Sequence, residues 1–174
     1  MILPFSTKLN EKPTYFVDKI WSGLIDRKLA TIETCRRYEY NREKVMPNEF
    51  AIVPHYKPKL HTIREDKNNR WHVGTNIDFY INVRQKSMFR FAPVLPVVRV
   101  QNIEIIYVPF GDKKQDSRPF VRVDGRLIYD VGQTLISQMK EFAENDGFES
   151  VNDFFEYFNK DFTGKLIYWT DLKY

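Results

Sequence analysis

The chain has 174 residues, 43% hydrophobic and 29% charged, which suits one ordinary domain with its own core and excludes a low-complexity or fibrous polypeptide. Its formal net charge of +4 leans toward an anionic partner such as nucleic acid. Cys35 is the only cysteine, so an internal disulfide is impossible. With no run of about 18 apolar residues and no leader-like start, neither a membrane span nor a signal peptide is expected, and a reducing, cytoplasmic setting is.

In chain order, residues 2–5 read as a short edge strand, since Pro4 is tolerated only at a sheet margin. Phe16, Val17, Ile20, Trp21 and Leu24 recur at three- and four-residue steps and predict an amphipathic helix over 15–24. Residues 26–50 carry Ile32 and Cys35 among charged residues and tyrosines, without a clean period, and read as partly helical. Pro47, Pro54 and Pro58 then mark a loop. A short strand follows over 60–64, a charged turn over 65–70, and an alternating strand over 76–83 through Ile77, Phe79, Ile81 and Val83. The apolar ribbon 88–108, broken by Pro93 and Pro96, predicts two bent strands. Asp124-Gly125 between two β-like runs predicts a hairpin, because that dipeptide adopts the positive φ angles of a tight turn.

Leu135, Ile136, Met139, Phe142 and Ala143 share a helical face that stops at Gly147, a natural C-terminal cap. Ser150 caps a second helix carrying Val151, Phe154, Phe155 and Phe158. A last strand spans 165–172. Antiparallel strands with segregated helices make an α+β class, and closure into a small β-barrel is expected.

Lys59-Leu60-His61-Thr62-Ile63-Arg64, followed by Trp71-His72-Val73-Gly74, resembles the signature of the ASCH domain of the PUA-like superfamily. Asp18-Lys19-Ile20-Trp21-Ser22-Gly23-Leu24 is similar to the helix and glycine that precede that motif. Ala143-Glu144-Asn145-Asp146-Gly147-Phe148 is similar to the family's acidic junction between two helices. The resemblance covers most of a single 1–174 domain and makes residues 26–56 an insertion. It implies a PUA-like barrel with flanking helices and an RNA or modified-nucleoside ligand. One small bacterial member removes the acetyl group from acetylated cytidine with a lysine, a threonine and a glutamate. The resemblance carries these roles to Lys59, Thr62 and Asp146, the last a shorter carboxylate than the family's.

In that role Thr62 supplies a hydroxyl, and Lys59 is a base only if burial or a neighbouring cation lowers its pKa. Asp146 holds the amine or relays a proton. Strand alternation puts Thr62 and Arg64 on one face and His61 and Ile63 on the other, so Arg64 is a candidate ligand contact through its two-pronged guanidinium. Lys57 and Glu65 flank it as further ligand contacts. Each residue has an ordinary structural alternative: Thr62 suits any pleat, Lys59 a solvated surface, Asp146 a turn, and Arg64 a salt bridge to Glu65, Asp66 or Asp146.

Trp71 and Trp169 read as core. Phe89 and Phe91, interleaved with Arg84, Lys86 and Arg90, fit either an ordinary strand or a platform for single-stranded nucleic acid. His55, His61 and His72 lack metal-ligand spacing, so neither metal nor cofactor is expected. Two functions stay open: an RNA- or nucleoside-binding module, and an amidohydrolase of acylated cytidine. A protein–protein adaptor using Tyr38, Tyr40 and Phe50 is the third.

Overall fold

A computed structural model describes residues 1–47, 51–109, 117–130 and 136–174. The strands are β1 (Ile2–Pro4), β2 (Lys8–Leu9), β3 (Lys12–Pro13), β4 (His61–Arg64), β5 (Asn76–Ile81), β6 (Phe89–Arg90), β7 (Leu95–Pro96), β8 (Arg99–Pro109), β9 (Ser117–Val123), β10 (Arg126–Asp130) and β11 (Phe162–Tyr168). The helices are α1 (Phe16–Asp26), α2 (Ile32–Val45), α3 (Ile136–Asn145) and α4 (Val151–Tyr157). The class is α+β.

One antiparallel sheet runs in the order β10-β9-β8-β11-β4. A second gathers around β5, with β1 parallel to it and β6 and β7 antiparallel. β2 and β3 form a separate hairpin. Among the described residues both larger sheets are open, and no pairing closes either into a barrel. The ribbon 88–108 is three strands rather than two, because Pro93 and Pro96 break the ladder twice where one bend was expected. The hairpin turns on Asp124 and Gly125 at φ 48 and 80.

Two apolar cores flank β11. Its alternation sends Ile167 to the first, with Leu3, Phe5, Trp21, Phe79, Phe91 and Trp169, and sends Leu166 and Tyr168 to the second, with Ile63, Ile103, Val121, Phe142 and Phe154. The phenylalanines of the 89–91 ribbon and both Trp71 and Trp169 are thereby core residues, and the ribbon's platform reading falls away. α1 buries Val17, Ile20, Trp21 and Leu24, and Trp21 Nε1 donates to the Phe91 carbonyl at 2.8 Å.

The stretch 26–56 is more helical than its letters suggest. Thr31 caps α2 by accepting from Thr34 N–H, and α2 buries Cys35 against the first core. Tyr38 packs on Trp21 with ring centres 5.6 Å apart, while Tyr40 is exposed. Of the adaptor residues, Tyr38 is partly buried against the first core and Tyr40 is exposed; Phe50, like Leu135 of the predicted third helix, lies outside the described residues. No described helix is long and apolar enough to cross a membrane.

Candidate functional site

Three elements meet where the second core ends. α3 stops in a two-bond cap: Phe148 N–H donates to the Ala143 carbonyl at 3.0 Å and Gly147 N–H to the Glu144 carbonyl at 2.8 Å, with Gly147 at φ 92. This fixes Asp146 as the last residue before the turn. Residues 59 and 60 precede β4 and are not part of it. Lys59 N–H donates to the Lys19 carbonyl of α1 at 2.9 Å, and Leu60 N–H to the Asn145 carbonyl at 2.8 Å. Gly23 permits this approach, because a Cβ there would stand 3.1 Å from the Lys59 carbonyl oxygen.

The result is a buried ion pair. Lys59 Nζ lies 2.9 Å from Asp146 Oδ1 and donates also to the Asp146 carbonyl, with 1% and 5% of the two residues exposed. Burial pulls the Lys59 ammonium from its ordinary 10.5 down to about 8, with Asp146 pulling the other way. Burial alone would raise the Asp146 carboxyl, but Lys59 and His61 together hold it below its ordinary value. Lys59 therefore has a structural role as well: it answers a helix-end carbonyl and a carboxylate that the helix dipole disfavours. A second buried lysine, Lys19, donates to the Gly147 carbonyl at 2.8 Å and pairs with Glu149.

Thr62 and Arg64 face the same small cavity of about 50 Å³, which Lys59, Asp146, Phe148 and Tyr157 also line. A wider cleft of about 110 Å³ adjoins it, sharing Phe16, Phe148 and Tyr157 and adding Lys12, Lys19 and Asp153. Arg64 makes no ion pair with Glu65, Asp66 or Asp146. Its Nη2 donates to the Pro4 carbonyl at 2.6 Å, its guanidinium lies 5.3 Å from the Phe5 ring centre, and its buried Nε has no hydrogen-bond partner among the described residues. The Thr62 hydroxyl likewise has no hydrogen-bond partner among the described residues.

Lys59, Thr62, Arg64 and Asp146 thus share one cavity. Lys57 and Glu65 do not. Lys57 is exposed and pairs with Glu144 at 2.8 Å, and Glu65 is exposed and pairs with Lys67 at 3.0 Å.

His61, on the opposite face of β4 and outside the cavity, approaches the ion pair from behind. Its Nδ1 stands 3.4 Å from Asp146 Oδ1, too loose for a well-formed hydrogen bond. Its Nε2 lies 3.1 Å from the Tyr174 hydroxyl, which accepts from Asn145 Nδ2 at 2.8 Å. With the Asn145 amide donating, the phenol proton is directed to Nε2, and the ring hydrogen is assigned to Nδ1 facing Asp146. Burial keeps His61 below its ordinary pKa, so it is neutral at pH 7. No group of three or more His, Cys, Asp or Glu able to hold a metal ion occurs among the described residues.

Chemically the cavity offers an amine of lowered basicity, an unengaged hydroxyl, a fixed guanidinium and a carboxylate. At pH 7 about one Lys59 in ten is the neutral amine a base requires. The low lysine pKa has a stability consequence. Between about 8 and 10.5 the unfolded chain binds a proton at Lys59 that the folded chain has released, so this residue makes stability rise with pH. Cys35, raised to about 11 from 9.0, opposes it above 9 because its thiol ionises first in the unfolded chain. Urea unfolding midpoints at pH 8.0, 8.5 and 9.0 are expected to climb for the wild type and to lose that climb in Lys59→Met; parallel pH curves would contradict the burial of the amine.

No protein-family model, no curated protein and no solved structure matches this chain.

Proposed function

We propose that the chain is an ASCH-like module of PUA-like type that recognises RNA or a modified nucleoside in the cleft between the helix junction and β4. The observation that carries this reading is the convergence of Lys59, Thr62, Arg64 and Asp146 on one cavity, with Arg64 held there without a carboxylate partner. A cavity of 50 Å³ takes only the polar edge of a base, and the ring lies in the adjoining cleft against Phe148 and Tyr157. The unmatched Arg64 and Thr62 groups then meet acceptors and donors on that edge. Helices beside an antiparallel sheet are what the PUA-like reading shares with this fold, barrel closure excepted, and a lone buried cysteine suits a cytoplasmic setting.

The second reading, deacylation of an acylated cytidine, is favoured by the lowered Lys59 pKa. Neutral Lys59 takes the Thr62 proton as the hydroxyl oxygen adds to the acyl carbon. That proton returns to the exocyclic nitrogen as the C–N bond breaks, and water releases the acyl group from Thr62.

Calorimetric titration with cytidine, N4-acetylcytidine and a short single-stranded RNA tests both. Arg64→Met is expected to weaken binding roughly ten- to hundredfold, the worth of a charge-assisted contact. Wild type that binds none of the three, or a variant that binds as wild type does, refutes the cleft reading. Chromatographic release of cytidine decides the second: its absence in wild type leaves binding alone.

A further inference from the structure

On the far side of the Pro13–Phe16 segment lies a second pocket of about 450 Å³, lined by Thr7, Lys8, Tyr15, Asp18, Val53 and Tyr56 among others. It shares Pro13, Thr14 and Phe16 with the outer cleft, so the two are neighbours across one stretch of backbone. Its size is that of a small-molecule site, where the inner cavity beside Lys59 is not.

Three features of its wall are unexplained by folding alone. Asp18, in the first turn of α1, is 4% exposed and makes no ion pair among the described residues. It accepts from Val53 N–H at 2.6 Å through Oδ1, and among the described residues no other residue donates to Oδ2. Burial raises its pKa, with His55 and the backbone bonds pulling down, so further N–H donors would stabilise the carboxylate. Next to it, Tyr15 stacks on Tyr56 with centres 4.8 Å apart and planes 17° apart, and His55 stacks on Tyr56 at 4.5 Å. Tyr15 is nonetheless 44% exposed. It holds a left-handed backbone, φ 53, which a tyrosine adopts only at a cost, and such strain gathers at binding sites. Finally, Lys8 at the rim is exposed and forms no ion pair among the described residues.

We propose that this pocket binds the guanine base of a guanosine nucleotide, with Asp18 reading its Watson–Crick edge, Tyr15 stacking on its face and Lys8 meeting its phosphate. The choice of base follows from donor order. A carboxylate only accepts, and it pairs with two adjacent donors. Guanine offers N1–H beside the N2 amine. Adenine and cytosine set an acceptor next to their amine, and uracil flanks one donor with two acceptors. Each of those edges would point a lone pair at Asp18. The exposed ring face suits any base, so the stack gives affinity and Asp18 gives the selection. Because the pocket adjoins the cleft, the inference also deepens the nucleoside reading: the natural ligand is a single strand whose guanosine neighbours the nucleotide in the cleft. Only this linkage rests on that reading.

The test measures GMP, AMP, CMP and UMP, and the same four bases at one position of a short RNA, by calorimetry and fluorescence anisotropy. Wild type is expected to bind GMP at least tenfold more tightly than the others. Asp18→Asn keeps an acceptor for Val53 N–H but exchanges the second acceptor for a donor. It is expected to lose the guanine preference by at least tenfold and to gain adenine or cytosine, a change that a merely structural Asp18 would not produce. A stronger response to guanosine in RNA than to GMP supports the joined strand; equal responses identify a free nucleotide as the ligand and overturn the linkage. Wild type that shows no base preference, or Asp18→Asn that keeps it, overturns the guanine site whatever happens in the cleft.

Discussion

Replacing Lys59 with methionine is expected to lower folding stability by about 3–5 kcal/mol, the usual consequence of leaving one member of a buried ion pair alone. Methionine fills the volume of the lysine stem, which lies over the Phe16 ring with Nζ 4.8 Å from its centre, so packing is largely kept and the loss is electrostatic. The Asp146 carboxylate, 6% exposed on its side chain, would retain only the loose 3.4 Å contact with His61. Its carbonyl would lose the ammonium donor too. The double variant Lys59→Met/Asp146→Leu is expected to recover much of the loss, because exchanging a buried pair whole for apolar side chains is close to neutral. What remains is the unanswered carbonyl, about 1–3 kcal/mol. Urea unfolding reads both, and cleft-ligand binding should stay lost in the rescued double variant. A single variant within about 1 kcal/mol of wild type would contradict the buried pair as described.

Gly147→Ala is the second large effect, about 2–4 kcal/mol from two sources that add at one atom. At φ 92 an alanine sits in a region L side chains rarely enter. Its Cβ would also stand 2.9 Å from Phe16 Cε1 and 3.1 Å from Lys59 Cδ. Both neighbours belong to the site, so the strain is delivered to the lysine stem and to the wall that the two cavities share. Thermal unfolding should show the destabilisation, and calorimetry should show weaker binding in the cleft. Gly125→Ala gives the comparison: its φ of 80 carries similar backbone strain, but nothing lies within 4 Å of the added carbon. Equal losses at the two glycines would show that the close packing at 147 contributes nothing.

Much of the local structure was legible because its causes lie within a few residues. The hairpin needs only that Asp124 and Gly125 tolerate positive φ. The start of α4 needs only the Ser150 hydroxyl, which accepts from Asp153 N–H at 3.1 Å. Alternation along β4 places Ile63 in the second core and Thr62 and Arg64 at the cavity, a consequence of the two-residue period of any strand. Strand ends were less legible: β11 begins at Phe162, three residues before the predicted start, because pairing with β8 extends it. The helix within 26–50 was blurred because its burial depends on Trp21 and the first core, not on a strong period of its own.

Residue types, turn chemistry and the faces of single elements were determined by the sequence itself, through sterics acting between near neighbours. Which groups meet was decided by the tertiary structure alone. Lys59 and Asp146 are 87 positions apart and His61 and Tyr174 are 113 apart, so no local rule could pair them. Lys57 and Lys59, two residues apart in sequence, end in opposite settings, one solvated and one buried. Burial sets the charge state of each such group, and burial belongs to the packed whole.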